Sequence, residues 1–211
     1  MAHQILTHKR QKTIMKYPDF FNNVPTIKLQ DQLSAFLGTF EGGEVEFTYL
    51  DVVKSAGHSC PTVMGAYLIT LKGLEALYPN EVAKRGNIFV EFKEDSNEGV
   101  AGVIANVVTQ ITGATEHLGF KGINGNFARN NLMEFNSDIS SSVKFTRLDT
   151  KESIEVKYDP SSVGGSPKQQ ELMGKIMQGK ATPEDKKEFG ELWQDRVQRI
   201  SESINDVITC V

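Results

Sequence analysis

Two stretches of the chain stay apolar for longer than a strand requires. From Pro61 to Tyr78, Val63, Tyr67, Thr70, Leu71, Leu74, Leu77 and Tyr78 recur at helical spacing, and Met64 and Leu68 widen the apolar arc. This helix is expected to be buried on more than one side. Gly65, Ala66 and Gly73 are small enough to let another backbone approach it, and Pro79-Asn80 stops it. A second apolar helix is predicted over 100–111 from Val103, Ile104, Val107, Val108 and Ile111, ended by Gly113. Between the two, Ile88, Val90 and Phe92 alternate with Phe89, Glu91 and Lys93, the period of a strand. Further strands are predicted over 44–49, 132–135, 143–148 and 154–158, with a short helical turn over 50–55. Ile27, Leu33, Phe36 and Leu37 can share one helical face, so 26–36 is predicted as a helix that ends in the turn made by Gly38, Gly42 and Gly43.

The last quarter reads differently. Residues 160–167 are a Ser/Gly/Pro linker, followed by a short helix over 168–178 that ends at Gly179. Thr182-Pro183-Glu184-Asp185 is a helix start, with an N-cap threonine, proline in the first turn and acids beside the positive helix end. That helix is predicted to run to about Val207, with Trp193 as a packing anchor and Cys210 at a frayed end without a role. Residues 1–23 are predicted to form a peripheral polar arm in which His3 and His8 are solvated.

At 211 residues and 39% hydrophobic content, one domain with a real core is expected. The net charge of -4 argues against nucleic-acid binding, which would call for a basic patch. No apolar run reaches membrane-span length, and Met1 to Lys16 lack the apolar region of a secretory signal. Two cysteines make no disulfide framework. The chain is expected in the cytoplasm with reduced thiols, and any metal site must mix ligand types.

The chemistry concentrates in Gly57-His58-Ser59-Cys60-Pro61. Pro61 suits the first helical position, which places Cys60 at the N-cap, where free N–H groups and the helix dipole favour an anionic sulfur. His58, two residues earlier, can point to the same side. A soft and a borderline donor at an electropositive helix start suit a metal site or an activated thiol. Packing alone is the competing account, with Cys60 a small buried hydrophobe and His58 a hydrogen-bonded loop residue. The glycine-punctuated stretch 115–129 carries Glu116, His117, Lys121, Asn126 and Arg129, matches no phosphate loop, and is long enough to suggest function.

Three segments resemble the FmdE-like family, whose name comes from formylmethanofuran dehydrogenase. Gly57-His58-Ser59-Cys60-Pro61 is similar to that family's His-Gly-His-x-Cys-Pro-Gly signature. Gln110 to Thr115 with the loop Gly119 to Arg129 is similar to its Leu-Thr-Gly-Cys-Thr segment and following loop. Leu172 to Arg196 is similar to its C-terminal helical hairpin. Ala56, Thr62 and Ala114 stand where the family pattern has histidine, glycine and cysteine. The resemblance implies an α+β fold, an antiparallel sheet flanked by helices with a C-terminal helical hairpin, and a homodimer. The organisation it suggests is an arm over 1–23, an FmdE-like core over 24–160, and a linker and helical tail over 161–211.

With Ala56 and Ala114 lacking donors, His117 becomes the candidate third ligand beside His58 and Cys60. The expected cofactor is a divalent transition metal, zinc first and iron or nickel next, in a site left open for a small molecule. Tyr67, Glu116, Lys121, Asn126 and Arg129 are the candidate ligand contacts. Three other readings compete. One is metal-free thiol chemistry with Cys60 as nucleophile and His58 or His117 as base. Another is haem bound near Met64 and Tyr67, and the last is a non-catalytic subunit of a redox complex.

Overall fold

The computed structural model describes residues 15–211; His3 and His8 lie outside them. The second half of the expected polar arm is core instead. Asp19–Asn23 form a 3-10 turn that buries Phe20 and Phe21, and Phe21 meets Tyr49 edge-to-face at 5.0 Å.

The segment 26–36 is not one helix. It splits into strand β1 (Ile27–Asp31) and the short helix α1 (Gln32–Phe36). Ile27, Leu29 and Asp31 are buried while Lys28 and Gln30 are exposed, a period of two. Phe36 and Leu37, counted toward a helical face, are exposed. Partners on both edges decide the matter: β1 pairs antiparallel with β2 (Glu44–Phe47) and parallel with β3 (Ala83–Arg85), a strand too short to announce itself in sequence. Asp31 then caps α1, accepting from the Leu33 and Ser34 amides.

Helix α2 (Tyr49–Ala56) starts on a Thr48/Asp51 capping box and ends at Gly57, whose φ of 76° is a left-handed cap. Helix α3 (Pro61–Leu77) follows, and residues 63–71 are buried without interruption, as the all-round apolar pattern requires. The second sheet has the order β5-β4-β6-β7-β8. Its strands are β4 (Ile88–Phe92), β5 (Met133–Glu134), β6 (Val143–Arg147), β7 (Ser153–Tyr158) and β8 (Ile208–Cys210). Only the β4/β5 pair is parallel. The fold is α+β, with two mixed sheets rather than one antiparallel sheet.

Helix α3 lies against β6 and β7 and also packs on α4 (Ala101–Thr112). Its glycines admit aromatic rings, not a second backbone. A Cβ on Gly65 would lie 2.3 Å from the Tyr158 ring, and one on Gly73 would lie 2.7 Å from Phe145. The C-terminal hairpin is α5 (Pro167–Met177) against α6 (Pro183–Glu202). The predicted long final helix stops at Ser203, re-forms as α7 (Ile204–Val207), and gives way to β8. Cys210 sits in that strand opposite Val156 rather than on a frayed end.

Candidate functional site

The turn between α2 and α3 is built by its own sequence and then clamped from a distance. Gly57 ends one helix; Cys60 caps the next, its Sγ accepting from the Val63 amide at 3.4 Å, with Pro61 in the first turn. Between them the Ser59 hydroxyl lies 2.9 Å from the buried Tyr49 hydroxyl. The Ser59 carbonyl accepts from the Trp193 indole N–H at 3.0 Å and from the Gln194 amide at 3.1 Å, both on α6. The Tyr158 hydroxyl donates to the Pro61 carbonyl at 2.8 Å. Burial pushes the Tyr49 and Tyr158 phenols well above their ordinary range, so both stay protonated and keep a donor for this work. Trp193 is therefore more than an apolar anchor. The Gln194 carbonyl oxygen is buried beside this turn with no partner among the described residues, a spare acceptor next to the site.

The clamped turn leaves His58 exposed and Cys60 partly so. The His58 Nδ1 lies 3.1 Å from the Ala56 carbonyl. A carbonyl only accepts, so Nδ1 carries the hydrogen and Nε2 is free to act as a base or a ligand. His58 borders a cleft of about 540 Å³ along the α4 surface, with Val103, Asn106 and Thr109 on its wall. A second cleft of about 650 Å³, shared with the same three α4 residues, is bordered on its far side by His117 and Glu116. The two histidines thus flank one helix face, which also exposes Val100 and Val103, with Leu118 81% exposed nearby.

The structure does not join His58, Cys60 and His117 into one centre. Among the described residues of a single chain, no three His, Cys, Asp or Glu side chains are placed to hold a metal ion. The His117 ring is 79% exposed, and its Nε2 lies 3.4 Å from Glu116. The physical reason is the loop. Main-chain bonds between Thr115 and Arg129, Phe120 and Arg129, and Glu116 and Asn131 zip its two limbs together, which removes the freedom that its glycines suggest.

The other predicted contacts divide. Tyr67 is fully buried, its hydroxyl 2.7 Å from the Pro25 carbonyl and 3.0 Å from that of Phe47, which makes it a core residue. Met64 is equally buried. Lys121 and Asn126 are exposed on the loop. Arg129 is buried and reaches Asp31, 2.6 Å from Nη2 to Oδ1. Asp31 also accepts from Arg85 at 2.8 Å. Burial raises the Asp31 carboxyl, but the Arg85 hydrogen bond, the Ser34 amide and the charge of Arg129 more than offset it and hold it below the ordinary range. Arg85 further donates to the Ile111 and Gln110 carbonyls, satisfying the C-terminal end of α4. Asp31 had no sequence signal, since its partners lie 54 and 98 residues away.

Residues 56–209 match the family described as FmdE, molybdenum formylmethanofuran dehydrogenase operon. The chain belongs to the FmdE family. The family span opens at Ala56, two residues before His58, and closes in β8, so the His58–Cys60 turn, the α4 face of both clefts and the α6 clamp lie inside it, while Tyr49 and Ser55 lie just before it. Strands β1 and β2, with Asp31, lie outside it. No curated protein matches the sequence. Among the described residues, no helix is long and apolar enough to cross a membrane.

Proposed function

We propose that this FmdE-family chain is a metal-binding protein whose ion, zinc before iron or nickel, is held by Cys60 and His58. The observation that carries the reading is the turn itself. Cys60 Sγ sits at a helix N-terminus, and His58 presents a free Nε2 while its Nδ1 is fixed by a carbonyl, the outer contact typical of ligating histidines. Two protein donors rarely suffice. We place His117 in the set through a homodimer, because the α4 face shared by the His58 and His117 clefts is open, with exposed Val103 between polar Asn106 and Thr109 and exposed Leu118 nearby, so a second copy laid across it would bring the histidines of two chains together. A divalent ion there would act as a Lewis acid toward a small molecule or bound water. The chain's own part is to hold and orient: Trp193 and Gln194 fix the Ser59 carbonyl, Tyr158 fixes that of Pro61, and the buried Gln194 oxygen offers an acceptor.

Elemental analysis of protein purified without a histidine tag tests this. Cys60→Ser, which keeps a capping residue, should lose most of the metal with an unchanged circular dichroism spectrum. Equal metal content in the variant and the native protein rules the site out. Light scattering that shows a stable monomer at micromolar concentration rules out the shared site.

A further inference from the structure

A third cleft, bordered by the later part of the loop and not by His117, has a different chemistry. It measures about 460 Å³ and is bordered by Lys84, Gly86, Asn87, Asn126, Phe127 and Arg129. That is within the roughly 300–1,000 Å³ usual for small-molecule sites. The two arginines that meet at Asp31 are not used alike. Arg85 engages Nε, Nη1 and Nη2 with Ile111, Asp31 and Gln110. Arg129 engages only Nη2, although its side chain is 8% exposed. Among the described residues, its buried Nε has no partner and its Nη1 has no hydrogen bond. A buried guanidinium that serves only as a strut normally satisfies its donors.

The backbone is shaped to keep this guanidinium in place. Gly86 has a φ of 80°, and a Cβ there would overlap the Arg129 guanidinium, so any side chain at that position would push the guanidinium out of its seat. Charge points the same way. Lys84, Arg85 and Arg129 border the cleft with Asp149; counting the ion-pair partners behind them, the cations Lys84, Arg85, Arg129 and Arg147 face the carboxylates of Asp31, Asp149 and Glu81, which leaves one positive charge in excess. Phe127, Leu132 and Leu148 add apolar wall.

We propose that this cleft binds a small organic anion, its carboxylate or phosphate head on Arg129 and Lys84 and its body along Phe127, Leu132 and Leu148. Asn87 and Asn126 supply amides for hydroxyl groups beside the head. The site is independent of the metal reading, since neither His58 nor Cys60 touches it.

The test is nitrogen-15 NMR of the full chain, followed at the Arg129 side-chain N–H and at the amides of Gly86, Asn87 and 125–129. Inorganic phosphate and benzoate are titrated separately at constant ionic strength. At least one should give saturable shifts that include the Arg129 Nε–H, and the tighter of the two reveals the head group. Lys84→Gln should weaken that binding about tenfold, as expected for loss of one charged hydrogen bond. Lys187→Gln, an equal charge change on α6, should leave it unaltered. Shifts that stay linear for both probes through the millimolar range overturn the proposal. So does an unchanged affinity in a Lys84→Gln variant whose spectrum shows it folded.

Discussion

Gly65→Ala isolates the contact that holds α3 against β7 and, through it, the carbonyl that follows Cys60. An added Cβ would stand 2.3, 2.5 and 2.6 Å from three carbons of the Tyr158 ring. The ring cannot swing aside cheaply, because its hydroxyl is tied to the Pro61 carbonyl at 2.8 Å. Three effects compete. Overpacking a tight site costs about 1–3 kcal/mol. Losing the Tyr158 hydrogen bond costs about 1 kcal/mol. Alanine's better helix propensity returns about 1 kcal/mol. The net expectation is a loss of about 1–3 kcal/mol, or about 2–4 °C in Tm per kcal/mol for a chain of this length. Gly174→Ala in α5 and Gly190→Ala in α6 are matched controls, since neither glycine has a neighbour within 4 Å of the added carbon. Each should gain about 0.5–1 kcal/mol. Urea unfolding followed by circular dichroism measures all three. A Gly65→Ala protein as stable as the native one, or three variants that shift alike, would refute the packing argument.

Asp31→Asn should destabilise by about 3–5 kcal/mol at neutral pH, because it leaves the buried Arg129 guanidinium and the half-buried one of Arg85 without their carboxylate. Since the folded-state pKa of Asp31 is depressed, its contribution is present above the ordinary carboxylate range and is lost as pH falls through the folded value. Urea midpoints of the two proteins should therefore converge in acid, and a gap that stays constant would contradict the assignment. Trp193→Phe keeps the ring beside Phe189 but removes the donor to the Ser59 carbonyl. It should cost about 0.5–1.5 kcal/mol and weaken metal retention more than overall stability. Metal retention equal to that of the native protein would confine Trp193 to packing.

The parts legible in the sequence were those whose causes are local. Helix α3 announced itself by Pro61 and an unbroken apolar run, α6 by Thr182-Pro183, and β4, β6 and β7 by clean alternation. The parts that were not legible depend on partners far along the chain. Strand β1 hid because Leu33 and Phe36 complete a helical face on paper, while its real determinants are β2 and β3. Strand β8 is three residues that become a strand only beside β7. At the site, the cap at Cys60 and the turn position of His58 were readable. The loop limbs that keep His117 outward were not, because their glycines suggest freedom and their main-chain bonds remove it. Arg129 was singled out by residue type, but its carboxylate partner lies 98 residues upstream, where no motif points.

The clamp on Ser59 also sets an order of events during synthesis. Trp193 and Ser59 are 134 residues apart, so the turn can cap its own helix early but cannot be locked until α6 has been made and has docked. Contacts of such separation carry a large loop-closure cost and form late. A nascent chain would thus pass through a stage with α2 and α3 in place and the His58–Cys60 turn still loose. Opening of the α5/α6 hairpin in the mature protein would return it to that stage, so slow hydrogen exchange at the Val63 amide should track the stability of the hairpin rather than that of α3.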